Sequence, residues 1–307
     1  MMRIVSLLPS VTEILYALGA QDELIGVSHD CDYPAPVRQK PVISRSIVSD
    51  DLRGVEIDQL VAQTYHAQTY HRGGSIYHLD PQFLEQARPD LIIAQELCQM
   101  CAVTSDEARR TAELARSGAQ ILWLQPRTLQ EVLGSIQTLG QAVGREPGAK
   151  ALVDQLQARI MVMTERLEGI FHRPHVLCLG WLAPLMAEGH WIPELVRLAG
   201  GRDELGQAGE HSCRLSWEEV VVCAPEVIIL MPCSFSLART LAEAPLLGEF
   251  PGWNELPAVQ AGQVYAVDSG YFSRPGPRLI TGLAIIAHCL HPQRMGEPLP
   301  VGAVARL

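Results

Sequence analysis

One sequence pattern occurs twice in this chain of 307 residues, at residues 83–93 and again at residues 217–229. Each copy has a helix-forming stretch, a proline that ends it, an acidic residue, and then a run of apolar residues. Proline cannot continue a helix, and a short apolar run bounded in this way is typical of a buried strand. The repeat therefore predicts two related halves in which strands alternate with helices.

Further apolar runs extend this pattern in both halves. The strands predicted in the first half cover residues 4–7, 24–27, 91–94 and 121–124, with a helix over 11–18. Those predicted in the second half cover residues 175–179, 227–231 and 264–267, with a helix over 192–198. Because strands alternate with helices, the sheets should be parallel, and the fold class is α/β with two lobes.

The two halves are joined by a long helical connector. Residues 128–171 are rich in Leu, Gln, Ala, Glu and Arg, and Pro147 suits the first turn of a new helix. That helix should have roughly 22 residues and measure about 33 Å. We therefore predict an N-terminal α/β lobe at residues 1–127, a linker with a rigid backbone helix at 128–171, and a C-terminal α/β lobe at 172–307. Such a connector permits a small hinge motion rather than a wide closure.

A pentapeptide, Ala-Gln-Thr-Tyr-His, occurs twice in succession at residues 62–71. A period of five residues fits neither a helix nor a strand. We interpret the repeat as a small tandem duplication on a solvent-facing segment rather than as a His/Tyr metal site.

The composition excludes several classes of function. A net charge of −10 and the lack of a Lys/Arg cluster argue against a nucleic-acid partner. There is no uninterrupted apolar run of about 18 residues, so we do not expect a membrane-embedded protein. Residues 1–9 lead directly into the first strand without an apolar h-region and a cleavage site. On this basis we expect a cytoplasmic protein with mostly reduced thiols.

Parallel strands bring the residues that follow them to one edge of a sheet, where open α/β folds bind ligands. Polar, aromatic and sulfur side chains occur at these strand ends, and we expect them to face a gap between the lobes. The candidate ligand contacts of this kind are Asp30, Cys31, Gln95, Cys98, Cys101, Trp181, His190, Trp191, Cys233, Tyr271, Phe272 and Arg274. Aromatic side chains near a cleft favour flat or bulky ligands.

Five of these residues are also candidate metal ligands: Cys31, Cys98, Cys101, His190 and Cys233. Thiolates together with an imidazole favour Zn, Cu(I) or another soft ion. A structural zinc site normally uses two paired knuckles, whereas this chain has one Cys-x-x-Cys pair. The set therefore fits a ligand site between lobes better than a zinc ribbon, and a disulfide between Cys98 and Cys101 remains an alternative.

Several segments of the chain resemble a known family: residues 8–13, 26–28, 32–34, 89–93 and 272–278. They resemble the periplasmic binding proteins with a rigid helical backbone (class III), the receptors that deliver cobalamin, heme or iron chelates to importers. The resemblance covers nearly the whole chain. It implies two Rossmann-like lobes, a ligand cleft between them and no catalysis. Pro9, in the first of these segments, is a further candidate ligand contact.

The resemblance also extends to individual site residues. Tyr271 and Phe272 match an aromatic pair that lines the cobalamin pocket in that family, and Trp181 lies on a matching loop of the cleft. Two other aromatic contact positions are Asp30 and Gln95 here. The cysteines resemble a leaderless, cytosolic branch of the family described as cobalamin-binding, which carries Cys-x-x-Cys-Ala-Val and Met-Pro-Cys. The ligand implied is cobalamin or another metal chelate, and the partner implied is an ABC transporter.

The function predicted from the sequence is therefore that of a ligand-binding protein for cobalamin or a related metal chelate or tetrapyrrole. It would act as a carrier or sensor, or as the solute-binding protein of an ABC importer. The alternatives are a thiolate-based Zn or Cu protein, a zinc or disulfide clip, and a cofactor-handling enzyme that uses Cys98 or Cys101. No Ser-His-Asp order, P-loop or Gly-x-Gly-x-x-Gly motif supports an enzyme, so we do not expect catalysis.

Overall fold

The structure is a computed structural model. It describes residues 1–49, 51–70, 76–95, 111, 113, 118–296 and 298–307, with the side chains of 65–70 excepted. The chain forms two compact units. The first unit comprises Met1–Pro126 and Glu131–Val153, and the second comprises Arg127–Gln130 and Asp154–Leu307.

The elements of the first half alternate between strands and helices, as predicted. In chain order they are β1 (Ile4–Ser6), α1 (Pro9–Ala17), β2 (Leu24–Val27), a 3₁₀ helix (Ala35–Gln39), β3 (Ser44–Ser46), α2 (Gly54–Tyr70), β4 (Tyr77–Leu79), α3 (Pro81–Ala87), β5 (Leu91–Gln95), β6 (Gln120–Leu124), α4 (Leu129–Ala142) and α5 (Glu146–Arg166). Four strands form a parallel sheet in the order β2-β1-β5-β6, while β3 and β4 form an antiparallel pair. Strands β1 and β5 are buried along their whole length and form the centre of this unit.

The second half is built on a larger sheet. Its elements are β7 (His175–Leu182), β8 (Leu185–Ala187), α6 (Ile192–Leu198), β9 (Arg202–Asp203), β10 (Cys213–Arg214), α7 (Trp217–Cys223), β11 (Val227–Leu230), α8 (Leu237–Glu243), 3₁₀ helices (Ala244–Glu249 and Trp253–Glu255), α9 (Pro257–Gln260), β12 (Val264–Val267), a 3₁₀ helix (Ser269–Tyr271), α10 (Leu279–Leu290) and β13 (Val304–Arg306). The strand order is β10-β8-β7-β11-β12-β13, with β9 also beside β7. The predicted parallel pairing is confirmed for β7, β11 and β12, but β8, β10 and β13 add antiparallel strands at the edges.

The repeated sequence pattern forms the same local structure in both halves. Asp80 accepts hydrogen bonds from the N–H groups of the first turn of α3, and Ser216 forms a capping box with Glu219 at the start of α7. Each helix ends at a residue with a left-handed conformation, Arg88 or Ala224, both with φ of 44°. A proline follows each of them, and it disfavours a further helical residue before it. A buried strand then begins in each half, β5 in the first and β11 in the second.

The structure adds one helical segment that the sequence did not predict and corrects one local interpretation. Residues 62–70 of the tandem pentapeptide belong to α2, a helix of 17 residues, because Ile57 and Val61 are buried one turn apart and anchor the helix that continues into the repeat. Trp181 lies inside β7 rather than on a loop after it. The strand is longer than predicted because β8 turns back and pairs with it, with Trp181 opposite Met186.

The long connecting helix predicted from the sequence is confirmed. Helix α5 has 21 residues, and its first turn contains Glu146 and Pro147. None of the helices in the described ranges is both long enough and apolar enough to cross a membrane.

Candidate ligand-binding site

In the first unit, the carboxyl ends of the parallel strands bring four predicted residues to one edge of the sheet. Pro9 begins α1 directly after β1, and Asp30 and Cys31 follow β2. Gln95 is the last residue of β5 and is buried. The sheet therefore places these four residues at the edge where the sequence predicted a ligand contact.

The thiol of Cys31 is held in a buried network of hydroxyl groups. Its Sγ lies 3.1 Å from Thr12 Oγ1 and 3.2 Å from Ser28 Oγ. Thr12 Oγ1 donates to Ser6 Oγ at 2.9 Å, and Ser6 Oγ donates to the carbonyl of Leu8 at 2.9 Å. Cys31 is 6% exposed, so its thiol contacts these hydroxyl groups instead of solvent. This network could not be predicted from the sequence, because its members lie on β1, α1 and the loop after β2.

The proposed metal set is not assembled in the part of the chain that the structure describes. Two of its members, Cys98 and Cys101, lie outside the described residues. Among the described residues, no three His, Cys, Asp or Glu side chains form a group that could hold a metal ion. The six described cysteines are thiols. Zinc therefore has no support within the described ranges.

In the second unit, the carboxyl end of β7 carries a buried aromatic pair. The ring of Trp181 lies 5.3 Å from the ring of Phe235, which follows β11, and the guanidinium of Arg239 lies 3.9 Å from the Phe235 ring centre. Trp181 is 4% exposed, and its indole Nε1 has no hydrogen-bond partner among the residues that the structure describes. A buried N–H group in this state costs about 1–3 kcal/mol. This donor therefore needs an acceptor that the described residues do not supply.

His190 lies on the segment between β8 and α6 in a left-handed conformation, with φ of 52°. Its ring is 5.5 Å from the Trp191 ring and 5.2 Å, edge-on, from the His211 ring. Burial, together with His211 and Arg127 nearby, lowers the pKa of His190 to about 4, so the imidazole is neutral at pH 7. Its Nε2 is buried and, within the described ranges, has no hydrogen-bond partner.

The neighbouring aromatic residues divide into buried and partly exposed ones. Trp191 is buried and donates its indole N–H to the carbonyl of Phe272 at 2.8 Å. Phe272 is 1% exposed, and its ring packs against Gly282 of α10. Tyr271 is half-buried, and the guanidinium of Arg278 lies 5.5 Å from its ring centre. Of the predicted pair, Tyr271 is thus the residue whose ring remains accessible.

Two other predicted residues lie on loops of the same unit. Cys233 follows β11, is half-buried, and donates its backbone N–H to the carbonyl of Gly180 at 3.3 Å. Its Sγ is 3.8 Å from Ser234 Oγ. Arg274 is half-buried in the loop that precedes α10. The structure therefore brings Trp181 and Cys233 to the ends of neighbouring strands, β7 and β11.

A pair of buried carboxyl groups next to this site was not predicted from the sequence. Glu188 Oε2 accepts a hydrogen bond from Ser212 Oγ at 3.0 Å, and Gly180 leaves the space that its other oxygen occupies. Burial raises the pKa of Glu188 to about 7, against the effect of its hydrogen bonds from Ser212 and Gly189. Burial likewise raises the pKa of Asp203 to about 6. In the sequence, Glu188 is marked only as a glutamate that follows a strand and precedes a glycine.

Known proteins resemble this chain over almost its whole length. A vitamin B12-binding protein of Vibrio parahaemolyticus is 24% identical over 299 residues, covering 94% of this chain and 88% of that protein. An uncharacterized ABC transporter substrate-binding lipoprotein of Bacillus subtilis, YvrC, is 24% identical over 302 residues, covering 96% and 82%. The solved structure of a periplasmic heme-binding protein from Pseudomonas aeruginosa matches with a TM-score of 0.73 at 20% identity, covering 99% and 97%. That structure has the same fold.

The sequence profile of the family described as periplasmic binding protein matches residues 4–271. The prediction of a cytoplasmic protein is wrong, because the family is periplasmic and the Bacillus subtilis relative is a substrate-binding lipoprotein. The resemblance inferred from the sequence motifs, by contrast, is confirmed. With a matching profile over most of its length and the same α/β fold as solved family members, this chain belongs to the periplasmic binding protein family.

Proposed function

We propose that this chain binds cobalamin or a related tetrapyrrole chelate as a transported solute and passes it to an ABC importer, without catalysing a reaction. The relatives support this proposal, since several of them are vitamin B12-binding proteins and a structural neighbour is a heme-binding protein. The ligand would be cargo rather than a resident cofactor.

The observation that carries the proposal is the buried indole N–H of Trp181. It lies at the carboxyl end of β7 beside the Phe235 ring, and no described group accepts its hydrogen bond. Amide carbonyls around a corrin ring, or carboxylates on a porphyrin, are acceptors that would satisfy this donor. A flat macrocycle would also suit a site with Trp181, Phe235 and Tyr271, because aromatic rings favour flat, bulky ligands.

His190 is the second residue that we assign to the ligand. A neutral imidazole can accept a hydrogen bond or ligate a metal ion through an unprotonated nitrogen, whereas a protonated one can do neither. The low pKa of His190 keeps the ring neutral, and its Nε2 is the buried atom without a described partner. It would therefore accept from a ligand amide or reach the chelated metal. The contacts predicted on the first unit, at Pro9, Asp30 and Gln95, stay predictions.

Four cysteines outside the predicted metal set are poorly suited to thiolate chemistry. Burial raises the pKa of the Cys178, Cys213 and Cys223 thiols, and it raises the pKa of Cys289 to about 12. Protonated thiols are weak nucleophiles and weak metal ligands. These four thiols therefore give no support to a thiolate-based function.

The test is calorimetric titration of the protein with hydroxocobalamin and, separately, with hemin. We expect saturable binding of one of them, and we expect Trp181→Phe to weaken it roughly tenfold, because the variant keeps a ring but loses the donor. Trp217→Phe is the matched control, since its indole N–H already donates to the carbonyl of Pro251. Its affinity should equal that of the wild type.

Visible absorption of the same complexes tests the role of His190. If its Nε2 ligates the metal, His190→Asn will shift the absorption bands of the bound chelate, and Asn tolerates the left-handed backbone at this position. The proposal fails if neither chelate binds, or if Trp181→Phe and Trp217→Phe bind with the affinity of the wild type.

A further inference from the structure

The second unit has a separate pocket at the opposite edge of its sheet. The pocket has a volume of about 730 Å³, and it is lined by residues at the start of β11 and before β12, Val227 and Gln263 among them. Trp181 and Cys233 lie at the carboxyl ends of the strands instead. A strand of four residues is roughly 13 Å long, so the two regions are separated by the length of the sheet. We call this region the amino-edge pocket.

The amino-edge pocket has an apolar wall. Ile170, Val227 and Leu290 line it together with Phe171, whose side chain is fully exposed to solvent. An exposed phenylalanine beside this wall offers apolar surface that a ligand could cover. Burying that surface would be favourable by the hydrophobic effect. The volume falls in the range of pockets that hold small organic molecules, about 300–1,000 Å³.

The charges around the pocket favour an anion, although the whole chain has a net charge of −10. Arg294 and Arg306 both line it. The guanidinium of Arg306 is fixed by two hydrogen bonds. Its Nε donates to the carbonyl of Gly262, and its Nη2 donates to the carbonyl of Ala261 at 3.1 Å. A fixed guanidinium recognises carboxylate, sulfonate or phosphate groups with little further loss of side-chain freedom. Arg294 is exposed and adds a second positive charge.

The negative groups at the pocket do not cancel these cations. Glu226 is already engaged, since its Oε1 is 2.8 Å from His172 Nε2 and its Oε2 accepts from the His175 N–H at 2.9 Å. The carboxyl end of α10, at Leu290, contributes a partial charge of about −0.5. Burial lowers the pKa of His291, so that ring is neutral at pH 7. The positive charge of the two guanidinium groups therefore exceeds the negative charge of one carboxylate, which is already paired, and of the helix end.

We propose that the amino-edge pocket binds an amphipathic organic anion. The apolar body of the ligand packs on Ile170, Phe171, Val227 and Leu290, and its anionic group meets the guanidinium groups of Arg306 and Arg294. This site goes beyond the proposed chelate binding, because it uses none of the residues assigned to the chelate and lies at the other edge of the sheet.

The probe for the test is 8-anilinonaphthalene-1-sulfonate, which joins an aromatic body to a sulfonate and fluoresces when bound. We expect saturable binding with one site per chain. Arg306→Gln should weaken it about tenfold, Arg294→Gln should weaken it about threefold, and the uncharged analogue N-phenyl-1-naphthylamine should bind less tightly than the sulfonate. Arg38→Gln, an exposed arginine in the first unit, is the matched control and should leave the affinity unchanged.

A second variant tests the pocket without substituting an arginine. Ala261 is exposed and lines the pocket, so Ala261→Trp should fill the space without disturbing the core and should abolish probe binding. The proposal is overturned if all variants bind the probe equally, if the uncharged analogue binds as tightly as the sulfonate, or if hydroxocobalamin displaces the probe competitively. The variants and the uncharged analogue involve none of the residues assigned to the chelate, so this part of the test stands whether or not the chain binds a chelate.

Discussion

The indole N–H of Trp191 donates a 2.8 Å hydrogen bond to the carbonyl of Phe272, a residue 81 positions later in the chain. Both residues are buried, so water cannot replace the bond if it is lost. The contact ties the start of α6 to the segment after β12. It thereby fixes the position of His190, which precedes Trp191, relative to that of Tyr271, which precedes Phe272.

Trp191→Phe should lower the free energy of unfolding by about 1–2 kcal/mol, because it leaves the carbonyl of Phe272 buried without a donor. Urea unfolding followed by circular dichroism measures this difference. Trp217→Phe also loses an indole hydrogen bond, but that bond is at the surface, so its effect should be clearly smaller. Equal losses in the two variants would mean that the Trp191 bond has no special role in stability.

Glu188 should give the protein a stability that depends on pH. Its pKa is about 7 in the folded protein and 4.5 ordinarily, so the folded state favours the protonated form. The stabilisation is fully present below about pH 4.5 and is lost as the pH rises through about 7, a change of the order of 3 kcal/mol. The raised pKa of Asp203 likewise contributes stability that is lost as the pH rises, in this case through about 6. The lowered pKa of His190 has the opposite effect, because its contribution to stability is lost as the pH falls below about 6.5.

The difference between wild type and Glu188→Gln isolates this contribution, because both proteins share the other groups. Glutamine remains neutral, so the advantage of the variant should grow between about pH 4.5 and 7 and then level off. Urea unfolding at several pH values provides the measurement. A difference that does not vary with pH would show that Glu188 has an ordinary pKa in the folded protein.

Gly180 is required for the position of the Glu188 carboxyl group. A Cβ atom at residue 180 would collide with Glu188 Oε1, so Gly180→Ala should destabilise the protein by about 1–3 kcal/mol. The double variant with Glu188→Ala should recover part of the loss. Gly248→Ala is the control, because a Cβ there meets nothing within 4 Å, and it should be neutral or slightly stabilising in thermal unfolding. A Gly180→Ala protein as stable as the control would contradict the tight contact.

Thr12 supplies hydroxyl contacts for both Ser6 and Cys31. Thr12→Val has nearly the same shape but cannot hydrogen bond, and we expect it to lower the free energy of unfolding by about 1–2 kcal/mol. Thr138→Val in α4 is the comparison, since that hydroxyl donates to the carbonyl of Gly134 at an exposed position. Chemical denaturation distinguishes them, and similar losses would contradict a special role for the buried network.

The parts of the fold that could be predicted from the sequence are those with local causes. The strands around Leu91 and Val227 are apolar and follow a proline, and the capping residues Asp80 and Ser216 lie within a few positions of the helices they start. Strands β8, β10 and β13 were missed because they have only two or three residues each, too few for a periodic pattern. Their pairing depends on residues distant in sequence.

The candidate site shows the same limit. Because parallel strands share a direction, the sequence could place Trp181 and Cys233 near the carboxyl edge of the sheet. It could not show that Trp181 finds no acceptor among the described residues, or that Phe272 packs into the core on Gly282, since both facts depend on tertiary packing. Nor could it place the carboxyl group of Asp203 near Glu188, because β9 joins β7 through a pairing that the sequence does not signal.

The last strand of the second sheet has a consequence for the order in which the protein assembles during synthesis. All strands of the first sheet are complete by Leu124, so that sheet can form while the rest of the chain is still being made. Strand β12, in contrast, keeps an open edge until β13 at Val304–Arg306 has left the ribosome. Open strand edges pair readily with other chains. The second sheet is therefore the last part of the fold that can be completed.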